Sequence, residues 1–149
     1  AIECEAALAS MHNRERSEYD GSDVDEVLRF LDEAARRAVA RGVAPQRVIV
    51  DPGIGFGKTA EHNIDVLREL PRLASLGFPT LLGTSRKSTI GKLTGRDAGE
   101  RLFGTAATTA LAVQAGIDAV RVHDVVEARD VLAVADAIVR GWRPQEWTK

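Results

Sequence analysis

The chain has 149 residues, 44% hydrophobic and 28% charged, with a net charge of -2 and a pI near 6.0, the balance of one globular unit. Lys and Arg are dispersed among carboxylates without a basic run, which argues against a nucleic-acid or membrane partner and for small-molecule substrates. Cys4 is the lone cysteine, which rules out a disulfide within the chain and a cysteine-based zinc site; with no leader-like or long apolar stretch, a cytoplasmic protein is expected.

The first strand is predicted at Ala6 to Met11. A helix follows from about Asp23 to Arg41, with Ser22 as its N-cap, Val24, Val27, Leu28, Leu31, Ala35 and Ala38 on one face, and Gly42 as its stop. A second strand at Arg47 to Val50 leads to an interrupted helix at Asn63 to Leu76, which Pro71 should kink or restart and Gly77 should end. The third strand, Thr80 to Gly83, precedes a small helix from Ser88 to Leu93 and an Ala/Thr-rich one from about Glu100 to Ala115. The fourth, Ala119 to Val122, is followed by a helix from Val126 to Arg140 that stops at Gly141.

Strands that recur every 30 to 40 residues, each gap holding at least one helix, give the βαβ rhythm of a parallel α/β sheet. Four such units are half of a (β/α)8 TIM barrel, which needs about 250 residues. The face that would line the barrel, including Val48 to Val50 and Leu81 to Leu82, is expected to be left in water unless a second half, a second copy or an exchange of elements covers it. The first strand begins abruptly, whereas the polar stretch after Gly141 reads as a C-terminal tail.

In such a fold the working side chains sit at the C-terminal ends of strands. Those ends are Met11-His12-Asn13-Arg14, the run from Asp51 to Lys58, the run from Gly83 to Ser88, and Arg121-Val122-His123-Asp124. Gly57-Lys58-Thr59 imitates the end of a phosphate-binding P-loop, but Pro52 stands where that motif needs glycine, and Gly53, Gly55 and Gly57 miss the dinucleotide spacing. The glycines instead let a loop fold closely over a ligand beside Asp51. Arg121 and His123, two apart on a strand, should point to the same side, toward the barrel mouth.

The D-P-G-x-G-F-G-K run at Asp51 to Lys58, S-R-K-S at Ser85 to Ser88 and R-V-H-D at Arg121 to Asp124 resemble the sixth, seventh and eighth strand ends of dihydropteroate synthases, in that family's order. Met11-His12 is similar to the motif after the fifth strand. The likeness covers nearly the whole chain and is weakest over Ala1 to Ser10. It implies that residues 1 to 149 are the C-terminal half of a pterin-binding barrel, strands five to eight. The implied reaction condenses 6-hydroxymethyl-7,8-dihydropterin diphosphate with p-aminobenzoate to give 7,8-dihydropteroate and diphosphate.

By the same resemblance Asp51 holds the amino-pyrimidine edge of the pterin, Lys87 donates to the pterin close to p-aminobenzoate, Ser88 holds the benzoate carboxylate, and Phe56 lies near the benzoate ring, where sulfonamides compete. Arg121 and His123 meet the diphosphate, with Arg121 also against the pterin face. Met11, Gly55 and Gly83 complete the substrate-binding set, and Lys87, Arg121 and His123 are the catalytic candidates. Magnesium is the implied cofactor, with its ligand in the other half of the barrel and none in this chain. The implied partners are a second copy, as a homodimer, or a complementary half-barrel, and the isolated chain is expected to be inactive. His62, Arg86, Trp142 and Trp147 are given no place in the site. The rivals are a methyltetrahydrofolate-type methyltransferase, which has no diphosphate to bind, and a non-catalytic half-barrel.

Overall fold

A computed structural model describes residues 6–14 and 22–145; Cys4 and Trp147 lie outside the described residues. Helix α1 (Asp23–Ala40) forms where apolar residues recur at helical spacing, and Val24, Val27, Leu31, Ala35 and Ala38 are all buried. Ser22 caps it, its hydroxyl accepting from Asp25 N at 3.3 Å, and Asp23, Asp25 and Glu26 complement the positive end of its dipole. Strand β1 (Leu8–Met11) precedes it, and β2 (Val48–Asp51) follows.

The segment between β2 and β3 (Leu81–Leu82) is two helices, α2 (Ala60–Arg68) and α3 (Leu70–Ala74), the restart rather than the kink of the two outcomes expected at Pro71. The restart falls where Pro71 enters the first turn of α3, a position that needs no backbone donor. Helix α2 begins at Ala60 rather than Asn63, so His62 stands in its first turn and serves the cap: Thr59 Oγ1 accepts from His62 N at 3.2 Å, and His62 Nδ1 accepts from Thr59 N at 3.4 Å. Then come α4 (Ser88–Thr94), α5 (Leu102–Gln114), β4 (Ala119–Val120) and α6 (Val125–Val139).

All pairings are parallel and sequential. β1 pairs with β2, Leu8 opposite Val48 through Met11 opposite Asp51, and β3 pairs with β4, Leu81 opposite Ala119. A bridge between Val50 and Thr80 joins the two pairs. Away from the site, Asp118 Oδ2 accepts from Thr80 N at 2.9 Å and from Thr80 Oγ1 at 2.8 Å, which ties the starts of β3 and β4 together.

Strand alternation then divides the residues between two faces. Val48 and Val50 are 0% exposed and Leu82 1%, packed in one cluster with α1, α3 and α5. That corrects the expectation that all of Val48 to Val50 and Leu81 to Leu82 would be left in water. Only Ile49 and Leu81 of that set take the opposite face, where they are half-buried beside the exposed alanines Ala9 and Ala119. Continuing that face toward the strand ends gives Met11, Asp51, Gly83 and Arg121, in neighbouring register positions.

Candidate active site

Asp51 ends β2 on the inward face, 6% exposed, and its Oδ1 accepts from Gly53 N at 2.7 Å. Gly53 has φ 69, and a Cβ there would run into the carbonyl oxygen of His12, so only glycine permits this turn. Burial raises the Asp51 pKa above the usual carboxylate value, while Gly53 N–H, Arg121, Lys87 and Lys58 pull it back. The loop is stapled to α2 by Asn63, whose Oδ1 accepts from Gly55 N at 2.8 Å and whose Nδ2 donates to Thr59 O at 2.7 Å. Gly55 is exposed, with the methylenes of Lys87 alongside, and Met11 is half-buried beside Gly53.

Lys58 holds the loop from within. Its Nζ donates to Gly53 O and Phe56 O, both at 3.2 Å, and to His12 Nδ1 at 2.8 Å. An ammonium is only a donor, so His12 Nδ1 supplies a lone pair and the ring is neutral with its proton on Nε2. Burial, then Lys58 and Arg14, push the His12 pKa down to about 4, and burial brings Lys58 down to about 8 against the pull of Asp51, Asp23 and Glu26. His12 is 1% exposed and meets Phe30 edge-on, ring centroids 5.1 Å apart. Sequence reasoning missed both residues as parts of the site, although each ends or sits within a motif already noted.

The loop after β3 brings Lys87 over Phe56, its Nζ 4.0 Å from the ring centroid. Burial and then Arg121 lower the Lys87 pKa, with Asp51 opposing. Gly83 is buried beneath Arg121, where a Cβ would stand 3.6 Å from Nε and Nη2. Arg121 and His123 lie beyond the end of β4 rather than on it, yet Arg121 N still donates to Leu82 O at 2.9 Å, so the ladder continues and sets its direction. Gly83, Ser85, Lys87, Arg121 and His123 line one cleft of about 640 Å³. Ser88 opens α4 and is exposed at the rim.

Arg86, given no place in the site from the sequence, pairs across the loops through Nε and Nη2 with both carboxylate oxygens of Asp124, Nε at 3.2 Å. A larger cleft of about 720 Å³ lies between α2/α3 and α4/α5, lined largely by Ile64, Leu67, Leu93 and Leu111. It is a gap in the helical layer, away from the converging polar groups. Chemically, the site offers one buried carboxylate in the field of three cations, Lys58, Lys87 and Arg121, beside an aromatic ring. That suits a planar ligand with a donor edge and an anionic tail.

Residues 1–123 match the pterin binding enzyme family. The chain is 48% identical over 124 residues to the dihydropteroate synthase of Synechocystis, covering 83% of this chain and 42% of that protein. It is 45% identical to the inactive dihydropteroate synthase 2 of Mycobacterium leprae, over 81% of this chain and 41% of the relative. The crystal structure of the Clostridium difficile dihydropteroate synthase, obtained in the presence of pteroic acid, superposes with a TM-score of 0.89 at 43% identity, covering 93% of this chain and 53% of that one. The chain thus spans about half the length, or less, of the proteins it matches.

Proposed function

This chain belongs to the pterin-binding enzyme family, in its dihydropteroate synthase branch, and on that footing we propose that it supplies strands five to eight, the C-terminal half, of a (β/α)8 synthase barrel. The reaction is the condensation of 6-hydroxymethyl-7,8-dihydropterin diphosphate with p-aminobenzoate. The amine nitrogen bonds to the exocyclic methylene, the C–O bond to diphosphate breaks, the nitrogen loses a proton, and dihydropteroate and diphosphate result. No protein nucleophile is required, so the protein's task is to hold, align and neutralise.

The observation that carries this reading is the buried Asp51 carboxylate facing Lys87 and Arg121 across the strand ends. One Asp51 oxygen is engaged by Gly53, which leaves acceptor capacity for the adjacent donors of the amino-pyrimidine edge. Arg121 forks phosphate oxygens and covers the pterin face, His123 adds a second donor to the leaving diphosphate, and Lys87 bridges pterin and benzoate. Phe56 flanks the benzoate ring, where sulfonamides would compete, and Ser88 takes its carboxylate. Met11, Gly55 and Gly83 shape the walls.

Magnesium belongs to this reading as a counter-ion of the diphosphate. Its ligand is assigned to the other half of the barrel by the family resemblance, and no step here runs through it. Association with a second copy is supported by the exposed apolar residues of α5 and α6, where Phe103 is 86%, Val126 71% and Ile138 79% exposed. No helix among the described residues is long and apolar enough to cross a membrane. We place the enzyme in the cytoplasm on its lone cysteine and small polar substrates.

The likeness to an inactive synthase favours a second reading, in which the barrel binds pterin without turnover. The test is calorimetry and turnover on a barrel made of this chain and the first four units of a relative. Asp51→Asn should weaken pterin diphosphate binding by about 10- to 100-fold, the equivalent of a charge-assisted hydrogen bond of ~1.5–3 kcal/mol. Binding without turnover selects the second reading, and unchanged affinity in the variant refutes the site.

A further inference from the structure

The loops after β3 and β4 are joined by two adjacent rungs. Ser85 Oγ accepts from His123 N at 3.1 Å and pairs with His123 Nδ1 at 2.9 Å. One residue further along both loops, the Arg86 guanidinium grips both oxygens of the Asp124 carboxylate, fork to fork. The contact holds the Asp124 carboxyl below its ordinary value and Arg86 above.

Arg86 is also the sole non-glycine among the described residues with positive φ, at 58, a region that side chains with a Cβ seldom occupy. Its backbone is held on both sides. Arg86 N donates to Thr105 Oγ1 at 3.2 Å, and its carbonyl accepts from Arg101 Nη1 at 2.9 Å. Arg101 is itself tied to Arg96 O at 2.9 Å and lies against Gly91, where a Cβ would collide with its guanidinium.

The left-handed turn at Arg86 sets the exit direction of the chain, and the next residue, Lys87, reaches back over Phe56. On the facing loop, Asp124 directly follows His123 and stands three residues beyond Arg121. We propose that Arg86 and Asp124 are positioning residues of the synthase site. Arg86 borders the same cleft and Asp124 does not, and with its guanidinium engaged by Asp124 the pair fixes the gap between Lys87 on one loop and Arg121 and His123 on the other, so that the benzoate amine and the diphosphate-bearing carbon meet at reacting distance. This rests on the reading above.

The test uses the complete barrel carrying this chain. Arg86→Gly keeps the left-handed backbone and removes the whole side chain with its guanidinium, and Asp124→Asn keeps the shape and removes the charge. Each should raise the KM for p-aminobenzoate and lower kcat/KM by about 10- to 100-fold, the scale of a small misalignment of reacting groups. The double variant should be no worse than either single, because both remove one contact. Affinity for a pterin that lacks the diphosphate should stay within about twofold of the parent, since Asp51 is untouched. Near-parental kcat/KM, losses that multiply in the double variant, or pterin affinity that falls in step with kcat/KM would each overturn the assignment. A parent with no activity overturns the synthase reading and this one with it.

Discussion

Burial of the His12 ring, and then the Lys58 ammonium that can only donate to it, fix the sign of one pH response. His12 titrates at about 4 in the folded chain against 6.5 ordinarily. Between those values the unfolded chain binds a proton that the folded chain refuses, so stability is fully present above pH 6.5 and is lost as pH falls through 4. The loss is on the order of 2 to 3 kcal/mol. Urea unfolding from pH 7 to 4 should therefore show the parent midpoint falling more steeply than that of His12→Gln, and parallel curves would refute the assignment. At this scale the sequence was readable for placement, since Asp51, Lys87, Arg121 and His123 do come together around the strand ends. It was silent on His12 with Lys58 and on Arg86 with Asp124. Their partners lie 46 and 38 residues away, and no local pattern encodes which distant atom a donor reaches.

Helices α4 and α5 meet at Gly104, where a Cβ would run into Ile90 Cγ2. Ile90 is 5% exposed, and its methyl is fixed to a branched β-carbon that cannot swing aside. Gly104→Ala gains about 1 kcal/mol of helix propensity but incurs ~1–3 kcal/mol of overpacking. The expected outcome is a net destabilisation, read from the urea midpoint, and a double variant with Ile90→Ala that loses less than the sum of the two single changes. Additive losses would mean that the collision is elsewhere. A shifted α4 would also displace Lys87 and Ser88, which stand at its start. Helix spacing located α1 and α6 to within a residue; α1 buries a periodic stripe, whereas α6 buries only Ala128 and Ala135 and is bounded by the glycine at 141. It left open whether Pro71 kinks or restarts the helix, since the apolar spacing runs through the break, and the structure shows the restart, with α2 ending at Arg68 and Pro71 in the first turn of α3. β3 and β4 are two residues each, shorter than their apolar runs, because the residues that follow turn at once into the site loops.

For the molecule as a whole, the inward strand face decides what the chain can do alone. It carries Asp51 and Arg121 but only one wall of the expected pocket, so the purified chain should show no condensation activity and should gain it on mixing with a separately expressed first half. Turnover by the chain alone would refute the half-barrel reading. That inward face is less apolar than alternation alone suggested: alanines at positions 9 and 119 flank Ile49 and Leu81, so at most ~1.5–3 kcal/mol for each of the two large side chains awaits cover. The connection between β3 and β4 has a separate consequence. Thr80 with Asp118, Ser85 with His123 and Arg86 with Asp124 are each 38 residues apart. Ties at both ends of the strand pair thus share a single offset. A slip of one residue breaks all of them together and turns Arg121 to the wrong side of the sheet. The ties therefore gauge the length of the intervening helices as a vernier would, and an insertion within α5 is tolerated only where a bulge restores the count.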